Sequence, residues 1–418
     1  MNKDYSISSD YKIEIISGGV CAPQGFSAGG VRCGIRKSRT KKDLALIYSD
    51  VMCSAAGVYT KNKIQGAPIA VTKRNISDGR AQAVLCNSGN ANTCNSDGES
   101  VAEEMCLLAA KGLGLRAEDI VIASTGVIGQ PLPLEPIRAG MDPLIASLRR
   151  GEEGSLDAAE AIMTTDTRVK ECAVSFDLGG KKCRIGGIAK GSGMIHPDMA
   201  TMLVFITTDA AISPKMLEKA LRADADRTFN MISVDGDTST NDMVSVLANG
   251  MCGNWPVTEE DKAFDAFSAA LEVVTTRLCR EIAADGEGAT KLLECRVSGA
   301  ATEGAARAAA KAVISSSLVK SAMFGSDANW GRVLCAVGYS GADADPTKID
   351  VAFSSGGKTL KVCGAGFGVP FDEEFAKQLL SGGEIVIEVG LNSGEFSATA
   401  WGCDLTYDYV KINGDYRT

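Results

Sequence analysis

Residues 190–210, KGSGMIHPDMATMLVFITTDA, run from a glycine loop through Pro197 and Asp198 into an apolar segment with no turn residue between them. The near-continuous apolar run at 201–207 predicts a strand buried on both faces. Thr201, at its head, fits an ordinary β-branched strand residue. It also fits a nucleophile. A threonine hydroxyl needs an adjacent base, and a threonine that begins a chain carries one: its α-amino group, with a pKa of about 7.7–8.0, can accept a proton near neutral pH. Freeing that amine requires cleavage between Ala200 and Thr201, by attack of the Thr201 hydroxyl on the Ala200 carbonyl. Gly191 and Gly193 permit a strained approach, Pro197 restricts the lead-in, and Ala200 leaves the carbonyl uncrowded.

Working outward, 418 residues allow a large core and a second domain. Hydrophobic residues at 45% and charged residues at 23% make a globular composition. A net charge of −9 argues against a nucleic-acid partner, which needs clustered Lys and Arg. The one dense basic run, RKSRTKK at 36–42, reads as a solvated loop. The N-terminus lacks the apolar core of a signal peptide and no apolar run reaches membrane-spanning length, so a cytoplasmic location without a membrane partner is expected. The 14 cysteines include no C-x-x-C, and the closest two, Cys86 and Cys94, lie eight positions apart; they read as reduced, mostly buried thiols. There is a single histidine, His196, which excludes a multi-histidine metal site. Any Ser-His-Asp or Cys-His mechanism would have to use it. Beside Pro197 it reads as a loop residue, and no metal is expected.

Strands and helices alternate along the chain. DLALIYSD (43–50), AQAVLCNSG (81–89) and DIVIAS (119–124) read as strands ending in turn residues. Val101, Met105 and Leu108 share a helical face closed by Gly112 and Gly114. Ser213 and Pro214 open a helix through Ala223. Phe264, Phe267, Leu271, Val274 and Leu278 form the stripe of a long helix that stops at ADGEG. An alanine-rich helix at 303–323 and further strands follow. The class is α/β or α+β, with a domain boundary near 286: residues 1–285 form the larger domain and 286–418 the smaller.

Acyl transfer also needs donors for the oxyanion of a tetrahedral intermediate. ASTGVIGQPLP (123–133) ends a buried strand in a turn where the Gly126 N–H and the Thr125 hydroxyl can face a cleft. CNSGNANTCNSDG (86–98) is dense in amides and reads equally well as the wall of a polar pocket or as a solvated loop. Lys190 can pair a substrate carboxylate, MTTDT (163–167) offers hydroxyls, and Glu287 between two glycines can reach a ligand cation.

Together, KGSGMIHPDMATML, STGVIG, MTTDT, FNMISVDGDTSTND, DGEGATK, SDANWGR and the terminal INGDYRT resemble the ornithine acetyltransferase (glutamate N-acetyltransferase) family of arginine biosynthesis, in order and over nearly the whole chain. The resemblance implies a four-layer αββα sandwich of the kind found in N-terminal-nucleophile peptidases, with a smaller α+β domain attached. It implies self-cleavage into chains 1–200 and 201–418 that stay together as a heterotetramer of two α and two β chains. Carried over by motif, Thr201 is the nucleophile and Thr125 with Gly126 form the oxyanion hole. Substrate contacts fall on Thr164, Lys190, Thr201, Glu287, Asn413 and Thr418. Two positions depart from the family pattern: Asp198 stands where asparagine is usual, and Gly414 where alanine is commoner.

The implied reaction moves an acetyl group from N2-acetylornithine to glutamate through an acetyl-threonine ester, without a resident cofactor. Acetyl-CoA as a further donor is left open. The nearest rival is an N-terminal-nucleophile amidase or aminopeptidase, with water as acceptor. A nucleotide-binding reading of VCGAGFGVP (362–370) fails on its glycine spacing and on the lack of a following Gly-Lys-Ser.

Overall fold

The computed structural model describes residues 11–196 and 202–415, so Pro197, Asp198, Ala200, Thr201 and Thr418 lie outside the described residues. The described residues fall into two compact units. The first holds 11–191, 202–226 and 238–278; the second holds 192–196, 227–237 and 279–415. This division differs from the boundary expected near 286. The first unit's chain ends inside a helix, and an earlier segment joins the second unit because it supplies a strand to that unit's sheet.

In chain order the strands are β1 (Glu14–Ile16), β2 (Phe26–Val31), β3 (Leu44–Tyr59), β4 (Arg80–Asn90), β5 (Ile120–Val127), β6 (Lys170–Leu178), β7 (Lys181–Lys190), β8 (Leu203–Thr208), β9 (Ile232–Ser233) and β10 (Met243–Ala248). The helices of the same span are α1 (Ala67–Asn75), α2 (Gly98–Leu113), α3 (Leu134–Ala146), α4 (Glu152–Ile162), α5 (Pro214–Arg227) and α6 (Lys262–Ala284). Within the described residues of the first unit, the strands run β1-β6-β7-β8-β10-β3-β4-β5, with β2 also paired to β3. β3 is longer than the strand expected at 43–50. Its first half pairs with β2, its second half with β10, and its register against β4 shifts between Tyr48 and Cys53. The sheet thereby splits into two arms.

The two-residue period of the strands sorts side chains between layers. Leu44 and Leu46 of β3, Leu85 of β4 and Ile122 of β5 pack with Val71 of α1, Met105 of α2 and Ile137 of α3. Their neighbours Ala45, Ile47, Val84 and Val121 face an inner core shared with Leu203 and Phe205 of β8, Met243 and Leu247 of β10, and Ala158 and Ile162 of α4. On the far side of the other arm, Phe176 of β6 meets Phe267 of α6 edge-on, with centroids 6.3 Å apart. Ile206 of β8 and Leu278 of α6 both border Gly187. α5 is tied to α6 by a 3.0 Å hydrogen bond from Thr275 Oγ1 to Asp224 Oδ1. Helices, strands, strands, helices: this is the αββα order that the resemblance implies. As expected from its apolar run, β8 is buried on both faces throughout.

The second unit contains β9, then β11 (Leu292–Ala300), β12 (Asp350–Ser355), β13 (Lys358–Gly364), β14 (Phe367–Gly368), β15 (Glu384–Gly390) and β16 (Phe396–Cys403). Its helices are α7 (Glu303–Ser315), α8 (Ser317–Phe324), α9 (Trp330–Gly338), α10 (Glu373–Leu380) and α11 (Tyr407–Gly414). The strand order is β14-β13-β12-β15-β11-β16-β9. The alanine-rich helix expected at 303–323 is two helices. Ser316 takes an extended conformation and its hydroxyl accepts the Val319 N–H, so it closes α7 and caps α8. No described helix is long and apolar enough to cross a membrane.

Candidate functional site

The parallel strands β4 and β5 end together, and their register shifts at Gly89 and Asn90, beside Gly126. Gly126 has φ +134°, and a Cβ there would stand 2.3 Å from the Gly89 carbonyl carbon and 2.5 Å from the Asn90 nitrogen. Only glycine lets the two backbones approach this closely. Thr125, just before it, is half-buried. Of the amide-rich segment at 86–98, Asn87 and Asn90 at the end of β4 and Asn92 and Thr93 just beyond it are buried, while Cys94, Ser96 and Asp97 are exposed. Ser124 Oγ donates to Asn87 Oδ1 at 2.6 Å. Asn241 Nδ2 donates to the carbonyls of Ala91 at 2.6 Å and Ser124 at 3.0 Å, which fixes the end of β5.

Lys190 closes β7 at 8% exposure, and its Nζ donates to Thr125 Oγ1 at 3.3 Å. Two of the expected site residues are therefore brought together. Thr164 is linked to them through Asp166, which the sequence reading did not single out. Asp166 Oδ2 accepts the Thr164 N–H at 2.9 Å. Its Oδ1 accepts the Gly191 N–H at 2.7 Å and the Lys170 ammonium at 2.6 Å. Both Asp166 and Lys170 are buried. Burial opposes ionisation of Asp166, but the charges of Lys190 and Lys170 prevail and hold its carboxyl well below the usual range. Burial pulls the Lys190 ammonium below the ordinary lysine range, against the attraction of Asp166 and Asp242. The signal for Asp166 was its place four residues before a lysine, inside MTTDT; the hydroxyls of that motif drew the reading away from it.

In the second unit, Asn413 Nδ2 donates to Glu287 Oε2 at 2.7 Å, so two further expected residues meet. Glu287 is buried at 8% exposure, while Asn413 is exposed. α11 is anchored to the turn that carries Glu287, since Thr406 Oγ1 donates to the Gly288 carbonyl at 2.6 Å. The glycine loop lies against the same carboxylate: the Glu287 N–H bonds the Ser192 carbonyl at 2.9 Å, and a Cβ on Gly193 would fall 2.3 Å from the Glu287 carboxyl carbon. Asp235, which lies inside the motif FNMISVDGDTSTND but was not singled out there, accepts the N–H groups of Met194 at 2.6 Å and Ile195 at 2.8 Å. The Tyr409 hydroxyl donates to Asp235 at 3.3 Å; burial and that carboxylate push its pKa up. His196 Nδ1 lies 3.0 Å from Ser233 Oγ and 3.4 Å from Ser315 Oγ.

All 14 cysteines are free thiols. One group of metal-ligating type comes together among the described residues: Cys183, Asp209 and Cys252. Nothing in their sequence spacing announced it. Ala200, Thr201 and Thr418, expected at the scissile bond and in the substrate set, lie outside the described residues.

The ArgJ family model matches residues 27–418. The chain is 54% identical over 408 residues to the arginine biosynthesis bifunctional protein ArgJ of Symbiobacterium thermophilum, covering 97% of this chain and 100% of that one. It is 51% identical over 407 residues to the protein of the same name from Caldanaerobacter subterraneus subsp. tengcongensis, covering 97% and 100%. Among solved structures, that of the arginine biosynthesis bifunctional protein ArgJ from Bacillus halodurans is 46% identical, covers 51% of this chain and 99% of its own, and superposes with a TM-score of 0.49. The chain belongs to the ArgJ family.

Proposed function

We propose that this chain is an acetyltransferase of arginine biosynthesis that carries the acetyl group of N2-acetyl-L-ornithine to L-glutamate on Thr201. The observation that carries the reading is the bond from the buried Lys190 ammonium to the Thr125 hydroxyl. Lys190 is the Cα partner of Leu203 across β7 and β8. Only Met202 separates Leu203 from Thr201, and two residues of chain reach no more than about 7 Å. This covalent limit supports a Thr201 nucleophile that acts beside Thr125 and Lys190.

In this reading the bond between Ala200 and Thr201 is cut by the Thr201 hydroxyl, which gives chains 1–200 and 201–418. The new amine takes the proton as the hydroxyl attacks the acetamide carbonyl. The oxyanion develops toward the Thr125 hydroxyl and the Gly126 N–H. Ornithine leaves with the proton, and the glutamate amine then attacks the acetyl ester and restores the threonine hydroxyl. Thr164, Lys190, Glu287, Asn413 and Thr418 are the proposed substrate contacts. Donor and acceptor are both α-amino acids, so one set of carboxylate contacts serves each in turn, as ping-pong transfer requires. The relatives are named bifunctional, and acetyl-CoA as a second donor to the same ester is our reading of that word here. A cytoplasmic assembly of two chains of each kind completes the proposal.

The test is single-turnover mass spectrometry with N2-acetylornithine and no glutamate. The peptide beginning TMLVF should gain one acetyl group, and glutamate should then discharge it as N-acetylglutamate. Release of acetate regardless of glutamate would make the enzyme an amidase instead.

A further inference from the structure

Cys183 Sγ lies 2.8 Å from Cys252 Sγ, with Asp209 beside them. Cys183, on β7, is fully buried, while Cys252 is only partly so. Cys252 sits in a turn with Gly250 and Gly253 at φ +72° and +73°, next to the exposed side chains of Met251 and Trp255. The cluster could suit a metal or a disulfide, and the geometry favours the disulfide. Two thiolates on one tetrahedral zinc, each at about 2.3 Å, would stand about 3.8 Å apart. Asp209 is also committed elsewhere: its Oδ1 accepts the Arg184 N–H at 2.7 Å and its Oδ2 the Gln24 N–H at 3.0 Å. A disulfide needs the sulfurs at about 2.05 Å, less than 1 Å closer than they stand.

We propose that Cys183 and Cys252 form a peroxide-oxidisable dithiol whose disulfide covalently joins the two chains left by cleavage before Thr201. The joining of chains rests on the proposed self-cleavage; the disulfide does not. Cys252, the more accessible sulfur, attacks the peroxide as its thiolate. The O–O bond breaks, giving a sulfenic acid and, after proton uptake, one water. Cys183 sulfur then attacks Cys252 sulfur; the S–O bond breaks, and a second water leaves with the Cys183 proton. Two thiols are oxidised by two electrons in all, and one peroxide is reduced by two. Burial raises the pKa of both thiols, so the reaction should quicken as pH rises.

The site is remote from the chemistry. Cys183 precedes Lys190 by seven residues of β7, about 23 Å at about 3.3 Å per residue. Oxidation should therefore leave acetyl transfer unchanged. It should instead convert two bands into one of full chain mass on denaturing gels run without reductant.

The experiment treats the purified full protein with hydrogen peroxide, blocks remaining thiols in denaturant, then reduces and labels the thiols released. Cys183 and Cys252 should be labelled together, and the joined band should split on reduction. Cys252→Ala, at the partly exposed position, should abolish both signals while keeping native activity. If the two thiols are blocked in the first step, the proposal is wrong. It is equally wrong if they pair with other cysteines, or if zinc alone binds stoichiometrically at the pair and protects it. If the chain proves uncleaved, peptide mapping still decides the disulfide, so failure of the self-cleavage reading is seen separately.

Discussion

Replacing Asp166 by Asn removes a carboxylate that hydrogen-bonds the fully buried Lys170 at 2.6 Å and attracts the buried Lys190. Taking away one partner of a buried ion pair costs about 3–5 kcal/mol, because the other charge is left uncompensated. At about 2–4 °C per kcal/mol for a cooperative unit of this size, the thermal midpoint should fall by about 6–20 °C near pH 7. The pH dependence supplies an internal check. The Asp166 carboxyl is held below its unfolded value, so its contribution is complete above about pH 4 and is lost as pH falls through the folded pKa. The gap between wild type and variant should therefore narrow below about pH 4. It should narrow again in alkali. Burial already lowers the Lys190 pKa, and without Asp166 it falls further; the unfolded state then binds more protons than the folded one, and the variant gains stability as pH rises. Thermal unfolding followed by circular dichroism from about pH 3 to 10 reads all three regimes. A shift below about 1 °C at neutral pH, or a gap that widens in acid, would refute the charge assignment.

Two predictions bear on the chemistry. Thr125→Ala should lower kcat with little change in KM, by about 2.7–4 kcal/mol of transition-state stabilisation, measured as initial rates of N-acetylglutamate formation; a raised KM at normal turnover would make Thr125 a ground-state contact. Deleting residues 413–418 removes the Asn413 bond to Glu287 and should raise the ratio of free acetate to N-acetylglutamate while leaving self-cleavage intact; an unchanged ratio would take the tail out of the site.

What the sequence made legible was whatever has local form. Ser213 and Pro214 opened α5 and the stripe from Phe264 to Leu278 ran along α6, whereas Thr125 and Gly126, expected as a turn after the strand at 119–124, continue β5 to Val127. The positive φ of Gly126 could not be read, because it depends on the backbone of Gly89 and Asn90, some 36 residues earlier. The break falls in the run Ser315–Ser317, a capping signal that the alanine-rich stretch before it outweighed in the sequence. Asp166, Lys170 and Asp235 escaped for another reason. Each acts by pairing with main-chain amides or a buried charge, and single charged residues in a sequence look like solvated surface until the packing removes the water.

The strand register also explains how the two chains of the proposed cleavage would stay together. β7 and β8 are antiparallel neighbours whose ladder runs from Ile185 opposite Thr208 to Lys190 opposite Leu203. That ladder ends at Lys190 and Leu203, so the proposed cut between Ala200 and Thr201 breaks none of its pairings. β8 also pairs in parallel with β10, and β10 pairs antiparallel with β3. The later chain would then contribute β8 and β10 as an inserted pair, flanked by β7 and β3 of the earlier chain. Phe205 and Met243 sit in the inner core with Ile47 and Ile162, so apolar burial adds to the two flanking ladders. To separate the fragments, both ladders must open and that core must be exposed, which amounts to unfolding the first unit. Loss of the covalent link alone would leave all of these interactions in place, with the proposed new amine two residues before Leu203 in the sequence.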